Sequence, residues 1–252
     1  MLDTLVLLGA AFVAGALNAV AGGGSFLTLP ALVFTGVPPV LANATGTVAL
    51  LPGYLAGAWG FREDWQPPPG LSLKRLLLIS LAGGAIGAAA LLLTSDAAFR
   101  RIVPWLLLAA TLMFALAPRL RQWSTPPAGS APRPPSALKA TAGVMAVSAY
   151  GGYFNGGLGI LLLALFGLLG QTQLNAMNGM KNLVSAVLTA IAVLIYAAGG
   201  LVLWPQALMM MVAATLGGYL GARGARRIPA PWLRAGIVVT GLVMAALFFW
   251  KQ

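Results

Sequence analysis

Apolar residues fall into ten blocks along the chain, at 5–21, 25–35, 40–61, 73–94, 98–117, 138–154, 158–169, 176–198, 202–221 and 231–250. A helix that crosses a bilayer needs roughly 20 residues at about 1.5 Å each, and six of the blocks are that long. The other four form two adjacent pairs, 5–21 with 25–35 and 138–154 with 158–169. Each pair is split by glycines, "AGGGS" in the first and "NGGLG" in the second. The pattern predicts helices throughout, with two of them broken.

The segment 118–137, "PRLRQWSTPPAGSAPRPPSA", is rich in Pro, Ser and Arg. It reads as an exposed linker between an N-terminal membrane repeat (1–117) and a C-terminal one (138–252). Each half has the same order: a Gly-broken pair, a short polar hinge and three long helices. The hinges, "VLANATGTVALL" (40–51) and "LNAMNGMKNLVS" (174–185), place Gly46 and Gly179 at similar points. Interrupted segments at matching places in two halves are a sequence pointer to a transporter's binding site.

Composition fixes the solvent. Of 252 residues, 60% are hydrophobic and 8% charged, where soluble proteins average about 25% charged. The expected class is an all-α integral membrane protein whose partner is the lipid bilayer. The net charge of +11 does not imply nucleic acid, because the basic residues cluster at block ends, as the positive-inside rule requires. The run "ALNAVA" looks like a signal-cleavage site, but no Lys or Arg precedes the apolar block and Asp3 has the wrong sign. With no Cys and no His, disulfides, thiolate or imidazole metal sites and Ser-His or Cys-His nucleophiles are excluded; no metal or cofactor is expected.

Charge also bears on topology. If each broken pair is one long crossing, the linker side carries Arg62, Lys74, Arg75, Arg119, Arg121, Arg133, Lys139 and Lys251. The other side then carries Arg100, Arg101, Arg223, Arg226, Arg227 and Arg234, which is almost no bias. If each pair is a re-entrant hairpin, the two repeats of four to five elements become inverted. Basic residues 62, 74, 75, 119, 121, 133, 139, 223, 226, 227 and 234 then share one side, leaving Arg100, Arg101 and Lys251 opposite. The hairpin arrangement satisfies the positive-inside rule better and puts the linker in the cytoplasm.

Broken backbone is tolerated at membrane depth only where protein buries it or a wet cavity faces it. The helices that restart after the breaks have N–H groups without intrahelical acceptors, and each carries about half a positive charge. Two such ends aimed at one midplane cavity would hold an anion, and glycine lets it approach closely. The candidate binding residues are therefore Asn18, Gly22, Gly23, Gly24, Ser25, Asn43, Thr45 and Thr47 in the first half. In the second they are Tyr153, Asn155, Gly156, Gly157, Asn178, Lys181 and Asn182, with Tyr150 and Asn175 nearby. The alternative is that the polar side chains satisfy helix ends and interhelical contacts. Lys181 lies early in a long apolar block with no acid in it. A lysine at a helix centre costs roughly 2.5–3.5 kcal/mol, so it is either an interfacial anchor or a countercharge for an anion.

"AGGGSFLTLPALVFTGVPPVLANATGTVALLPG" (21–53) resembles the first-half signature of the TauE/SafE family, and "YGGYFNGGLGILLLALFGLLG" with "NAMNGMKNLVSAV" resembles its second-half counterpart. The resemblance covers residues 5 to 250. It implies a bacterial-type inner-membrane carrier that exports a small anionic substrate such as sulfite, sulfoacetate or another sulfonate. The "NGMKN" lysine departs from many relatives, which carry uncharged residues there.

The four acids, Asp3, Glu63, Asp64 and Asp96, all lie at or near block ends, so no proton relay inside the membrane is visible. Export of an anion needs none, because an inside-negative potential is worth about 2.3 kcal/mol per charge per 100 mV, or roughly fifty-fold for a monoanion. The alternatives are an uptake permease for a related anion, a non-transporting scaffold subunit, or an enzyme; Ser25 has no His to activate it. Small-residue runs at 81–90 and 216–225 suit close helix packing and are compatible with a homodimer interface.

Overall fold

The computed structural model describes residues 1–20, 22–124, 136–224 and 230–250. Among these it is all-helical. The ten α-helices are α1 (Leu2–Val20), α2 (Ser25–Phe34), α3 (Pro39–Gly60), α4 (Leu73–Leu92), α5 (Asp96–Ser124), α6 (Ala137–Tyr153), α7 (Leu158–Leu168), α8 (Leu174–Ala198), α9 (Trp204–Gly224) and α10 (Ala230–Trp250). They follow the ten apolar blocks within a few residues, except that α5 continues to Ser124, into the expected linker. The remaining linker residues, 125–135, lie outside the described residues, as do Arg133, Arg226, Arg227 and Lys251. The polar hinges are not separate hinges either. They form the first three turns of α3 and α8, because nothing in "ANATG" or "NAMNG" breaks a helix once Pro39 sits in its first turn.

Local signals set the helix ends. Ser72 and Ser136 accept N–H bonds from Arg75 (3.3 Å) and Lys139 (3.4 Å) at the starts of α4 and α6. The ends of α2 and α7 are twins. Val37 N–H donates to Leu32 C=O and Gln171 N–H to Phe166 C=O, around left-handed Gly36 and Gly170, the Schellman closure of a helix.

The packing pairs the two halves. α1 lies along α9, and α6 along α4; α3 contacts α8 and α9, while α8 contacts α3 and α4. α5 pairs with α10, α2 rests on α1, α3 and α10, and α7 rests on α6, α8 and α5. Exchanging α1–α5 for α6–α10 maps each of these pairings onto another or onto itself. Three helices, α3, α4 and α8, are long and apolar enough to cross a membrane among the described residues.

Contacts at the helix ends fix their mutual direction. Thr35 and Val37, just after α2, share a surface pocket with Asp3, Thr4 and Leu7 of α1 and with Pro205 and Gln206 of α9. Helix α2 therefore runs back along α1. In the second half, a Cβ on Gly143, early in α6, would sit 2.9 Å from the Leu165 side chain, late in α7, so α7 also doubles back. The Val40 N–H donates to Asp96 (3.1 Å), joining the starts of α3 and α5, and Gly199 touches Leu92, joining the ends of α8 and α4. At the opposite end Arg75 donates to Thr141 (3.0 Å) and Gln171 to the Gln66 carbonyl.

Candidate functional site

The two breaks meet. A Cβ placed on Gly22 would lie 3.0 Å from the Gly159 Cα, and one on Gly159 would lie 3.1 Å from the Gly22 Cα. At Gly157 the equivalent position is 3.4 Å from the Phe26 ring, which belongs to the first turn of α2. The N-termini of α2 and α7 therefore abut, arriving from opposite ends of the molecule. Glycine adopts the left-handed conformations this needs without strain, with φ of 77° at Gly22 and 72° at Gly157.

The α7 break leaves donors available. Leu158 N–H reaches Asn155 C=O (3.3 Å), and Ile160 and Leu161 N–H reach Gly157 C=O (3.0 and 3.2 Å). The N–H groups of Gly156, Gly157 and Gly159 find no acceptor among the described residues. In the α2 break, Phe26 N–H bonds Gly23 C=O (3.2 Å), while Leu27 and Thr28 N–H bond Gly24 C=O (3.0 and 3.3 Å). Tyr150 donates its hydroxyl to the Gly156 carbonyl (2.6 Å) and so pins the second break.

Lys181 comes to this junction. Its Cδ is 3.3 Å from the Cβ position of Gly159 in the first turn of α7. The residue is 3% exposed and has neither a hydrogen bond nor an ion pair among the described residues. The interfacial-anchor alternative would have the amine reaching water, which this burial does not allow.

A second polar group sits beside it. Asn155 is 1% exposed with a left-handed φ of 61°, and its Oδ1 accepts the Tyr54 hydroxyl (3.1 Å). Asn18 also lies close to that hydroxyl and packs against Gly24 and Gly53. Asn18 Oδ1 and Asn155 Nδ2 are both buried without a partner among the described residues. Sequence reasoning passed over Tyr54, Phe26 and Gly159. Gly159 stands in plain view within "NGGLG", but nothing in the sequence brings Tyr54 to the breaks.

Other expected residues go elsewhere. Asn43 donates to the Tyr153 carbonyl (2.9 Å), Thr47 to the Asn43 carbonyl (2.8 Å), and Thr45 accepts the Leu203 N–H (3.1 Å) at the start of α9. Asn43 and Thr45 join helices, the alternative that the sequence left open, while Thr47 bonds back within α3. Tyr153 turns its hydroxyl toward Thr94 (3.4 Å) on the α4–α5 loop. Asn182 is half-buried against Gly57, Asn178 is half-buried and Asn175 exposed. Ser25 is buried at the start of α2. Among the described residues there is no cluster of metal-ligating side chains.

Comparison with known sequences assigns the chain to a family. The profile of the sulfite exporter TauE/SafE family matches residues 7–248. The chain belongs to the TauE/SafE family. Among curated proteins, this TauE/SafE chain is 28% identical to a "Probable membrane transporter protein" of Haemophilus influenzae, covering 96% of this chain and 92% of the relative. It is 29% identical to the "Probable membrane transporter protein ORF9" of a Sinorhizobium species, covering 94% and 88%. It is 28% identical to the "Probable membrane transporter protein YfcA" of Escherichia coli K12, covering 96% and 87%. No solved structure matches significantly. The protein is a membrane transporter by family.

Proposed function

We propose that this TauE/SafE chain is an alternating-access carrier that exports a small sulfur-containing oxyanion, such as sulfite or a sulfonate, across the inner membrane. The observation that carries the reading is the contact of Gly22 with Gly159, with the unpaired Lys181 lying against it. Helix N-termini with available N–H groups favour anions, and a buried ammonium without a counterion favours them further. An oxyanion in this place would accept from the Gly156, Gly157 and Gly159 amides and from Lys181. Asn155 Nδ2 is a further donor within the same break.

The repeats are read as inverted, multi-pass and re-entrant. The return of α2 along α1 and of α7 along α6 supports this, as does the gathering of α1, α3, α5 and α9 starts at one end and of α4 and α6 starts at the other. That second end carries Arg62, Lys74, Arg75 and Lys139 and is assigned to the cytoplasm.

The test is counterflow in proteoliposomes containing the purified chain alone, with sulfite, sulfoacetate, taurine and sulfate as probes. Accumulation of a labelled sulfur anion against an unlabelled pool is expected, and Lys181→Met should weaken its apparent affinity at least tenfold. Counterflow with none of the four would end the reading.

A further inference from the structure

The site described above holds a buried lysine that no acidic side chain of the described residues pairs with. None of the four acids forms an ion pair with it. Asp3 opens α1, and Asp96 caps the α3 start at that same end; exposed Glu63 and half-buried Asp64 lie at the opposite end, on the turn that contacts α8, and Glu63 pairs there with Arg62. The elements packed about Lys181 at the breaks, α2, α7 and the start of α8, contribute no other charged side chain. Helix dipoles add local field but no net charge, since each positive end has its negative counterpart.

We infer that Lys181 makes the empty carrier the voltage-sensing form: the loaded site crosses as a near-neutral pair, and the membrane potential acts on the positively charged site as it returns. This rests on the anion-carrier reading and adds to it the step at which the potential works. A monoanion on Lys181 sums to zero, so the outward-going step feels little field. The emptied site carries +1 and is drawn back toward a negative interior. Net charge per cycle is unchanged, and only the step that bears it differs.

Two assays on the same proteoliposomes separate the steps. Net efflux into anion-free medium needs the empty return; exchange of labelled for unlabelled anion uses loaded steps alone. The probes are methanesulfonate, a fixed monoanion, and sulfoacetate, a dianion, under a valinomycin-imposed potential of about 100 mV, negative inside. Net efflux of either should rise severalfold, bounded by the roughly fifty-fold that one charge across the whole field allows. Methanesulfonate exchange should stay within about twofold, and sulfoacetate exchange should respond as one charge does. Lys181→Gln should shift voltage dependence from the empty return to the loaded step for either probe, while Lys181→Arg keeps the wild-type pattern. If methanesulfonate exchange and net efflux respond alike in the wild type, or if Lys181→Gln leaves the pattern in place, Lys181 is not the voltage-bearing group although the carrier stands. If neither probe is exchanged, the carrier reading falls and this inference with it.

Discussion

Asn155 combines two demands in one residue: a left-handed backbone at φ 61° and an acceptor for the buried Tyr54 hydroxyl. Asparagine tolerates that backbone region better than other side chains do. Asn155→Ala and Asn155→Gly both orphan the Tyr54 hydroxyl, at about 1–3 kcal/mol. Alanine adds the left-handed strain of roughly 1–2 kcal/mol. The glycine variant should therefore melt at a higher temperature in detergent than the alanine variant, with both below wild type. Equal melting temperatures would mean that the backbone, not the amide, is unimportant here. At this scale the sequence was legible where chemistry is contiguous. Three adjacent glycines in an apolar run and a lone Lys181 announce themselves, because each is costly in lipid without a purpose. Tyr54 was not legible. Its role depends on α3 passing both breaks, and one tyrosine in an apolar helix looks like any interfacial aromatic.

Element packing turns on where glycine lacks a side chain for room and where it merely lacks one. In α1, a Cβ on Gly15 would fall 1.9 Å from the Ala214 carbonyl of α9, and on Gly217 of α9 a Cβ would fall 1.8 Å from the Phe12 carbonyl of α1. The corresponding α4–α6 pair repeats this, with Gly87 against Ala149 (2.0 Å) and Gly152 against the Gly84 carbonyl (2.2 Å). Gly9, on the same helix as Gly15, has nothing within 4 Å. Gly15→Ala must push α1 off α9, an overpacking cost of about 1–3 kcal/mol or more. Gly9→Ala should gain about 0.5–1 kcal/mol from helix propensity. Opposite shifts in melting temperature are expected, and a matching shift would refute the close crossing. The runs at 81–90 and 216–225 were readable as packing faces. Their partners were not, because a small residue says that something comes near without saying what. Ten apolar blocks became ten helices for the simpler reason that backbone in lipid has few other ways to satisfy itself. The end of α5 escaped because its last turns, to Ser124, are polar and no longer need lipid.

At the scale of the whole molecule, the open matter is how the paired elements sit in the bilayer, and the absence of cysteine makes it easy to test. Single cysteines can be placed without removing any native thiol. Asp3 and Pro38 bracket α1 and α2, and Leu138 and Thr172 bracket α6 and α7; all four positions are exposed. If each pair doubles back, as the shared pocket of Asp3 and Thr35 and the contact of Gly143 with Leu165 support, both cysteines of a pair label from one side. Asp3→Cys and Pro38→Cys should react with an impermeant maleimide added to intact cells. Leu138→Cys and Thr172→Cys should react only after lysis, because their end carries Arg62, Lys74, Arg75 and Lys139. A continuous crossing predicts the opposite within each pair: Asp3 and Pro38 on different sides. That result would also remove the reason for two helix N-termini to arrive at one place from opposite faces. The proposed anion site would then lose the symmetry that alternating access requires of it.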